Sequence, residues 1–151
     1  MKRVTRQEIL DYVTYEEQRD KFRKKIMKIK ELRRINVAGV LSFLFENTDT
    51  VRYQIQEMIR VERMVKETDI LHEIKTYNEL LGDSGELGCT LLIEIDDPDE
   101  REEKLTQWLE LPKHLYLSLE DESRIRASFD ERQIGDARLS SVHYIKFNTG
   151  G

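Results

Sequence analysis

The chain has little of what usually carries chemistry. It holds one cysteine in 151 residues, Cys89, so no internal disulfide can form and no Cys-x-x-Cys element exists. Cys89 stands in an alternating apolar segment, where a free thiol serves as a small core residue. The three histidines, His72, His114 and His143, lie far apart, and none is spaced to activate Cys89 as a nucleophile. No Gly-rich phosphate loop and no Gly-x-Ser-x-Gly elbow are present. No stretch approaches the roughly 18 apolar residues of a membrane span, and the opening Met-Lys-Arg-Val-Thr-Arg leads into no apolar signal core. These absences point to a cytoplasmic protein. The length fits one domain over 1–151, holding no cofactor.

What is there is charge. Charged residues make up 36% of the chain against 38% hydrophobic, and the net charge of −5 hides an asymmetry. Residues 1–40 carry twelve Lys/Arg against six Asp/Glu, a net of +6, whereas residues 81–136 carry six against sixteen, a net of −10. The basic run from Arg19 to Arg34 contains a single aromatic residue, Phe22. Nucleic-acid binding surfaces interleave aromatics with their cations more densely, so this run reads as a solvated face or as the complement of an acidic surface.

Periodicity gives the elements. Thr5 with Glu8 and Thr14 with Glu17 match the capping box, predicting a short helix near 5–12 and a long one over about 15–34 that buries Tyr15, Arg19, Phe22, Ile26, Ile29 and Leu32. Residues 37–46 alternate with both faces apolar, as a central strand does. A second long helix follows over 50–72. Gly82, Gly85 and Gly88 mark a loop, and 87–95 reads as a strand. Asp97-Pro98-Asp99-Glu100 starts a helix that ends before Pro112. Strands are predicted at 115–119, 125–129 and 139–147, the first two joined as a hairpin by Glu120 to Ser123. The fold class is α+β: a mixed or antiparallel sheet of four to five strands with two long helices packed on one face.

The helix after Phe45 carries the candidate site. With Val51 at zero and about 100° per residue, Ile55, Met58, Ile59, Val61 and Val65 fall at about 40°, 340°, 80°, 280° and 320°. Glu62 lands inside that arc at about 20° and Gln54 beside it at about 300°. A buried carboxylate needs a partner or a raised pKa, so Glu62 is read as a structural acid paired with Arg19 or Arg23, or else as a ligand-binding carboxylate. Arg19, Glu46, Asn47, Arg52, Gln54, Gln56, Glu57, Arg60, Glu62 and Asn78 form the candidate polar cluster. Gln54, Glu57, Arg60 and Glu62 are the set that would line a cleft in a small enzyme or ligand-binding protein. One metal-like spacing exists: Asp69 and His72, three apart on a helix and followed by Glu73. It is a single element where di-iron bundles use two, with Glu57 and Glu62 as further carboxylates on other faces. His143 shares a strand face with Leu139 and Ile145 and is read as a satisfied core histidine. His114 follows Pro112 and is expected to be exposed.

Phe45-Glu46-Asn47, Thr50, the run Tyr53 to Met58, Arg60, Glu62 and Arg63, then Tyr77-Asn78-Glu79-Leu80, resemble the bacterial domain-of-unknown-function family 3501. Tyr15 with Arg19 and the closing Ser141 to Phe147 resemble it too. The resemblance implies no activity. It does imply a genomic association with rubrerythrin-like and iron–sulfur proteins, and so an accessory role beside a redox system with such a protein as partner. An interaction module is the first reading, and a small enzyme or ligand-binding protein the second.

Overall fold

A computed structural model describes residues 1–130 and 138–150. The fold is α+β, with four α-helices, a five-stranded antiparallel sheet and a separate two-stranded sheet among the described residues. The chain forms two compact units, Met1–Arg33 with Glu46–Leu81, and Arg34–Phe45 with Gly82–Gly151.

The first unit is helical. Its elements are α1 (Tyr12–Glu31), α2 (Thr48–Glu62) and α3 (Glu67–Asn78). The predicted helix at 5–12 is only a 3₁₀ turn, Arg6–Glu8, in which the Thr5 amide donates to Glu8 Oε2 at 2.7 Å. The long helix begins three residues before Tyr15, because Asp11 and not Thr14 caps it. Asp11 Oδ1 accepts from the Thr14 amide at 2.9 Å, and a carboxylate is the stronger acceptor. Only Tyr15 and Ile26 of α1 are buried, and Leu32 is 92% exposed, contrary to the predicted apolar stripe. The core comes instead from Val51, Ile55 and Ile59 of α2 with Ile70 and Ile74 of α3, both sets at i,i+4 spacing, joined by Val4, Ile9 and Leu81.

The helix predicted over 50–72 is two helices. Arg63 adopts φ +49°, its amide donating to the Arg60 carbonyl and that of Met64 to the Ile59 carbonyl, the bonding of a Schellman motif. Met64 then packs on the core, as such motifs require.

The second unit holds the sheet in the order β1 (Arg34–Val37), β2 (Leu41–Phe45), β3 (Glu86–Ile93), β7 (Val142–Asn148) and β6 (Ser128–Phe129). The strand expected at 37–46 is a hairpin: Ala38 and Gly39, at φ +56° and +73°, turn β1 back along β2. The strand expected at 125–129 is split. β5 (Arg124–Arg126) pairs with β4 (Tyr116–Ser118) in the small sheet, Ala127 donates to the Leu115 carbonyl, and β6 joins β7. Register places Ile35, Val37, Leu41, Phe43, Phe45, Leu91 and Ile145 on one face of the main sheet. Leu115, Leu117, Ile125 and Ala127 pack on the inner part of that face. The helix α4 (Pro98–Gln107) starts as expected, Asp97 accepting from the amides of Asp99 and Glu100, and buries Leu105 against Ile93, Ile95 and Leu139. Gly82 is fixed by crowding, since a Cβ there would lie 2.6 Å from the Glu86 backbone.

Candidate functional site

The candidate polar residues fall into three groups. The first joins α1 to α2. Glu57 leaves α2 towards α1, where Arg19 binds it through two nitrogens, Nε at 3.0 Å and Nη2 at 2.8 Å. The Tyr15 hydroxyl donates to Glu57 at 2.9 Å and that of Tyr53 at 3.3 Å. Burial pushes the Glu57 carboxyl up, but the bonds from Arg19 and Tyr15 outweigh it and hold the group below the ordinary carboxylate range. Burial and the adjoining carboxylate raise the Tyr15 phenol, so it stays a neutral donor. Both carboxylate oxygens are thus occupied. Arg60 pairs with Glu16 of α1, and Arg52 bridges Glu8 at 2.7 Å and Asp49 at 2.8 Å.

The second group holds the N-terminal segment. Gln56, buried at 5% exposure, accepts from the Leu10 amide at 2.7 Å and donates to the Leu10 carbonyl at 3.1 Å. Asn78 does the same for Val4, both bonds at 2.9 Å. Each side-chain amide supplies one donor and one acceptor to a single residue, as a neighbouring strand would. Arg3 reaches the Asn78 carbonyl at 2.5 Å, and Arg6 pairs with Glu67 at 2.7 Å.

The third group caps α2. Asn47 accepts from the Thr50 amide at 2.9 Å while its own amide donates to Thr50 Oγ1 at 2.9 Å. Thr50 also donates to the buried Glu46 carboxylate, and Arg33 to the Glu46 carbonyl at 3.2 Å.

Glu62 corrects the wheel. It is exposed, not buried, and Arg19 pairs with Glu57 in its place. Val61 and Val65, 65% and 76% exposed, had drawn the predicted arc towards Glu62. Val65 is not in that helix at all, and the buried arc runs from Val51 through Ile55 and Ile59 to Gln56. Gln54 is half-buried. Gln54, Glu57, Arg60 and Glu62 leave α2 over more than half its circumference and line no common cleft. The hollow between α1 and α2 is lined instead by Tyr15, Ile26, Arg52, Tyr53 and Gln56, and its volume is about 70 Å³. That admits a few waters, well short of the roughly 300 Å³ of an ordinary ligand pocket.

Asp69 and His72 are exposed on α3 and Glu73 is half-buried. Among the described residues, no three His, Cys, Asp or Glu side chains are grouped to hold a metal ion. His143 is buried, and its Nε2 lies 2.6 Å from the Ser140 carbonyl, so this nitrogen carries the proton. His114 is exposed and Cys89 buried, as the pattern indicated. Sequence reasoning did not foresee the pairing of Gln56 and Asn78 with backbone. A buried glutamine beside an N-terminal segment without regular structure was the available signal.

The model of the family described as protein of unknown function, DUF3501, matches residues 3–151. The chain belongs to that family. It is also similar to a protein of unknown function from Burkholderia pseudomallei, known from its crystal structure. The two share 29% identity with a TM-score of 0.92, over 99% of this chain and 79% of that one. No curated protein matches. No helix among the described residues is long and apolar enough to cross a membrane.

Proposed function

We propose that this chain is a cytoplasmic accessory protein that binds another protein through the basic face of α1. Support comes from how little of α1 the fold uses: two of its twenty residues are buried. Lys21, Arg23, Lys24, Lys25 and Lys28 are exposed along it, with Met27 52% exposed among them. A shallow groove there is lined by Asp20, Arg23, Lys24, Met27 and Lys28. A cationic surface with a methionine at its centre suits an acidic partner with an apolar contact point. The partner class, a rubrerythrin-like or iron–sulfur protein, is taken from the genomic association that membership of the family implies. The polar residues of α2 favour this reading over catalysis, because their hydrogen-bonding capacity is spent within the first unit.

The test is calorimetric titration of the purified protein with such a partner at low and high salt. Binding should weaken as salt rises, and Lys24→Glu with Lys28→Glu should weaken it at least about tenfold. Equal affinity for the double variant would remove α1 as the docking face.

A further inference from the structure

The second unit contains an apolar slot that its own core does not fill. On the inner part of the main sheet, Leu115 and Leu117 lie over Phe43, Phe45 and Phe147. That cover stops before β1. Ile35 and Val37, which share the apolar face with Phe43 and Leu41, remain 51% and 44% exposed. Between β1 and β4 this leaves a slot of about 220 Å³, walled by Ile35, Val37, Phe43 and Leu117 with His114 and Tyr116 at its side. An apolar cavity of about 150 Å³ takes up benzene, so this one has room for a ring or an alkyl chain of about eight carbons.

The lip carries charge of one sign. Among the described residues no Asp or Glu lines the slot. Tyr116 forms part of its wall, and the Arg124 guanidinium stacks on the Tyr116 ring at 4.4 Å. Arg126 is the register partner of Tyr116, and its guanidinium lies 3.5 Å from the Lys113 carbonyl, beside His114. Lys113 is neutralised by Glu110 at 3.0 Å, whereas Arg124 and Arg126 are exposed. These two arginines stand within the stretch that carries a net charge of −10 over residues 81–136. A cationic lip over an apolar slot matches an anionic head on an apolar tail.

We infer that the slot binds a medium-chain monocarboxylate, its alkyl tail between β1 and β4 and its carboxylate at Arg126 and His114. This site is independent of the α1 surface, which belongs to the other unit.

The probe is octanoate, titrated into the ¹⁵N-labelled protein and followed by amide shifts. Saturable shifts are expected in β1, β2 and β4, with a Kd of order 0.1–1 mM. Val37→Trp fills the slot from a half-exposed position and should weaken binding at least about tenfold. Ile35→Trp is the second filling variant should that one lose its dispersed spectrum. Arg126→Glu should weaken octanoate about tenfold and leave octanol unaffected. Absence of saturable shifts, or undiminished binding by a folded tryptophan variant, would overturn the site. Octanol binding as tightly as octanoate to the unaltered protein would overturn the carboxylate assignment. Saturable shifts confined to α1 would place the ligand elsewhere and overturn it as well.

Discussion

At Leu10 the backbone has no strand to pair with, and Gln56 supplies both halves of the missing partner. Gln56→Leu would keep the apolar bulk and leave a part-buried amide and carbonyl unpaired, at a cost of about 1–3 kcal/mol. Gln56→Glu, which keeps an acceptor and loses the donor, should fall between the two in urea melts. Equal stability of all three would mean that water satisfies Leu10 and that the amide contributes nothing. Ala38 offers the opposite case. It sits at φ +56° in the β1–β2 turn beside Gly39, a conformation an alanine enters at a cost of about 1–2 kcal/mol. An asparagine in its place would form the Asn-Gly pair that such turns favour, so Ala38→Asn should stabilise by about 0.5–1 kcal/mol and raise the melting midpoint. Neither position could be singled out by residue type. The helical wheel marks Gln56 as polar, but its partner is irregular backbone, which has no period to detect.

At the scale of elements, the break between α2 and α3 shows what local rules miss. Gly is the usual residue in the left-handed position that ends a helix, and here it is Arg63. Lys66, at the start of α3, makes no capping bond with its side chain. With neither a glycine nor a cap to read, residues 50–72 look continuous. Arg63→Gly should therefore stabilise by about 0.5–1 kcal/mol, measured by thermal and urea denaturation, because the backbone strain goes while the Schellman bonds stay. A destabilised variant would show that the Arg63 side chain makes contacts that outweigh the strain. Glu62, one residue earlier and exposed, should tolerate Ala with a change under about 0.5 kcal/mol. By contrast α4 was legible to the residue at its start, because Asp97, Pro98 and the acids after them form a self-contained signal.

Across the whole molecule, the strand segments were readable and their arrangement was not. Alternation at 115–119 and 125–129 identifies a hairpin, but nothing in that alternation says that the chain changes sheets at Ala127. The place of β7 between β3 and β6 likewise depends on long-range pairing, to which a single sequence is blind. That pairing has a consequence for pH. His143 on β7 lies opposite Leu91 of β3 and is 2% exposed; burial lowers its pKa from the ordinary 6.5, against the smaller opposing effect of the Ser140 carbonyl. A base whose pKa falls on folding binds fewer protons folded than unfolded. Its contribution is complete above the unfolded value of 6.5 and is lost as pH drops below it towards the lower folded value. Glu57, held below the ordinary carboxylate value of 4.5, weakens the fold only at lower pH, so the two windows separate. Urea midpoints should thus fall between about pH 7.5 and pH 5.5 in the unaltered protein and fall less in His143→Gln, which keeps a donor for Ser140 and does not titrate. The same fall in both proteins would assign the loss to other groups and make His143 a bystander in the acid response.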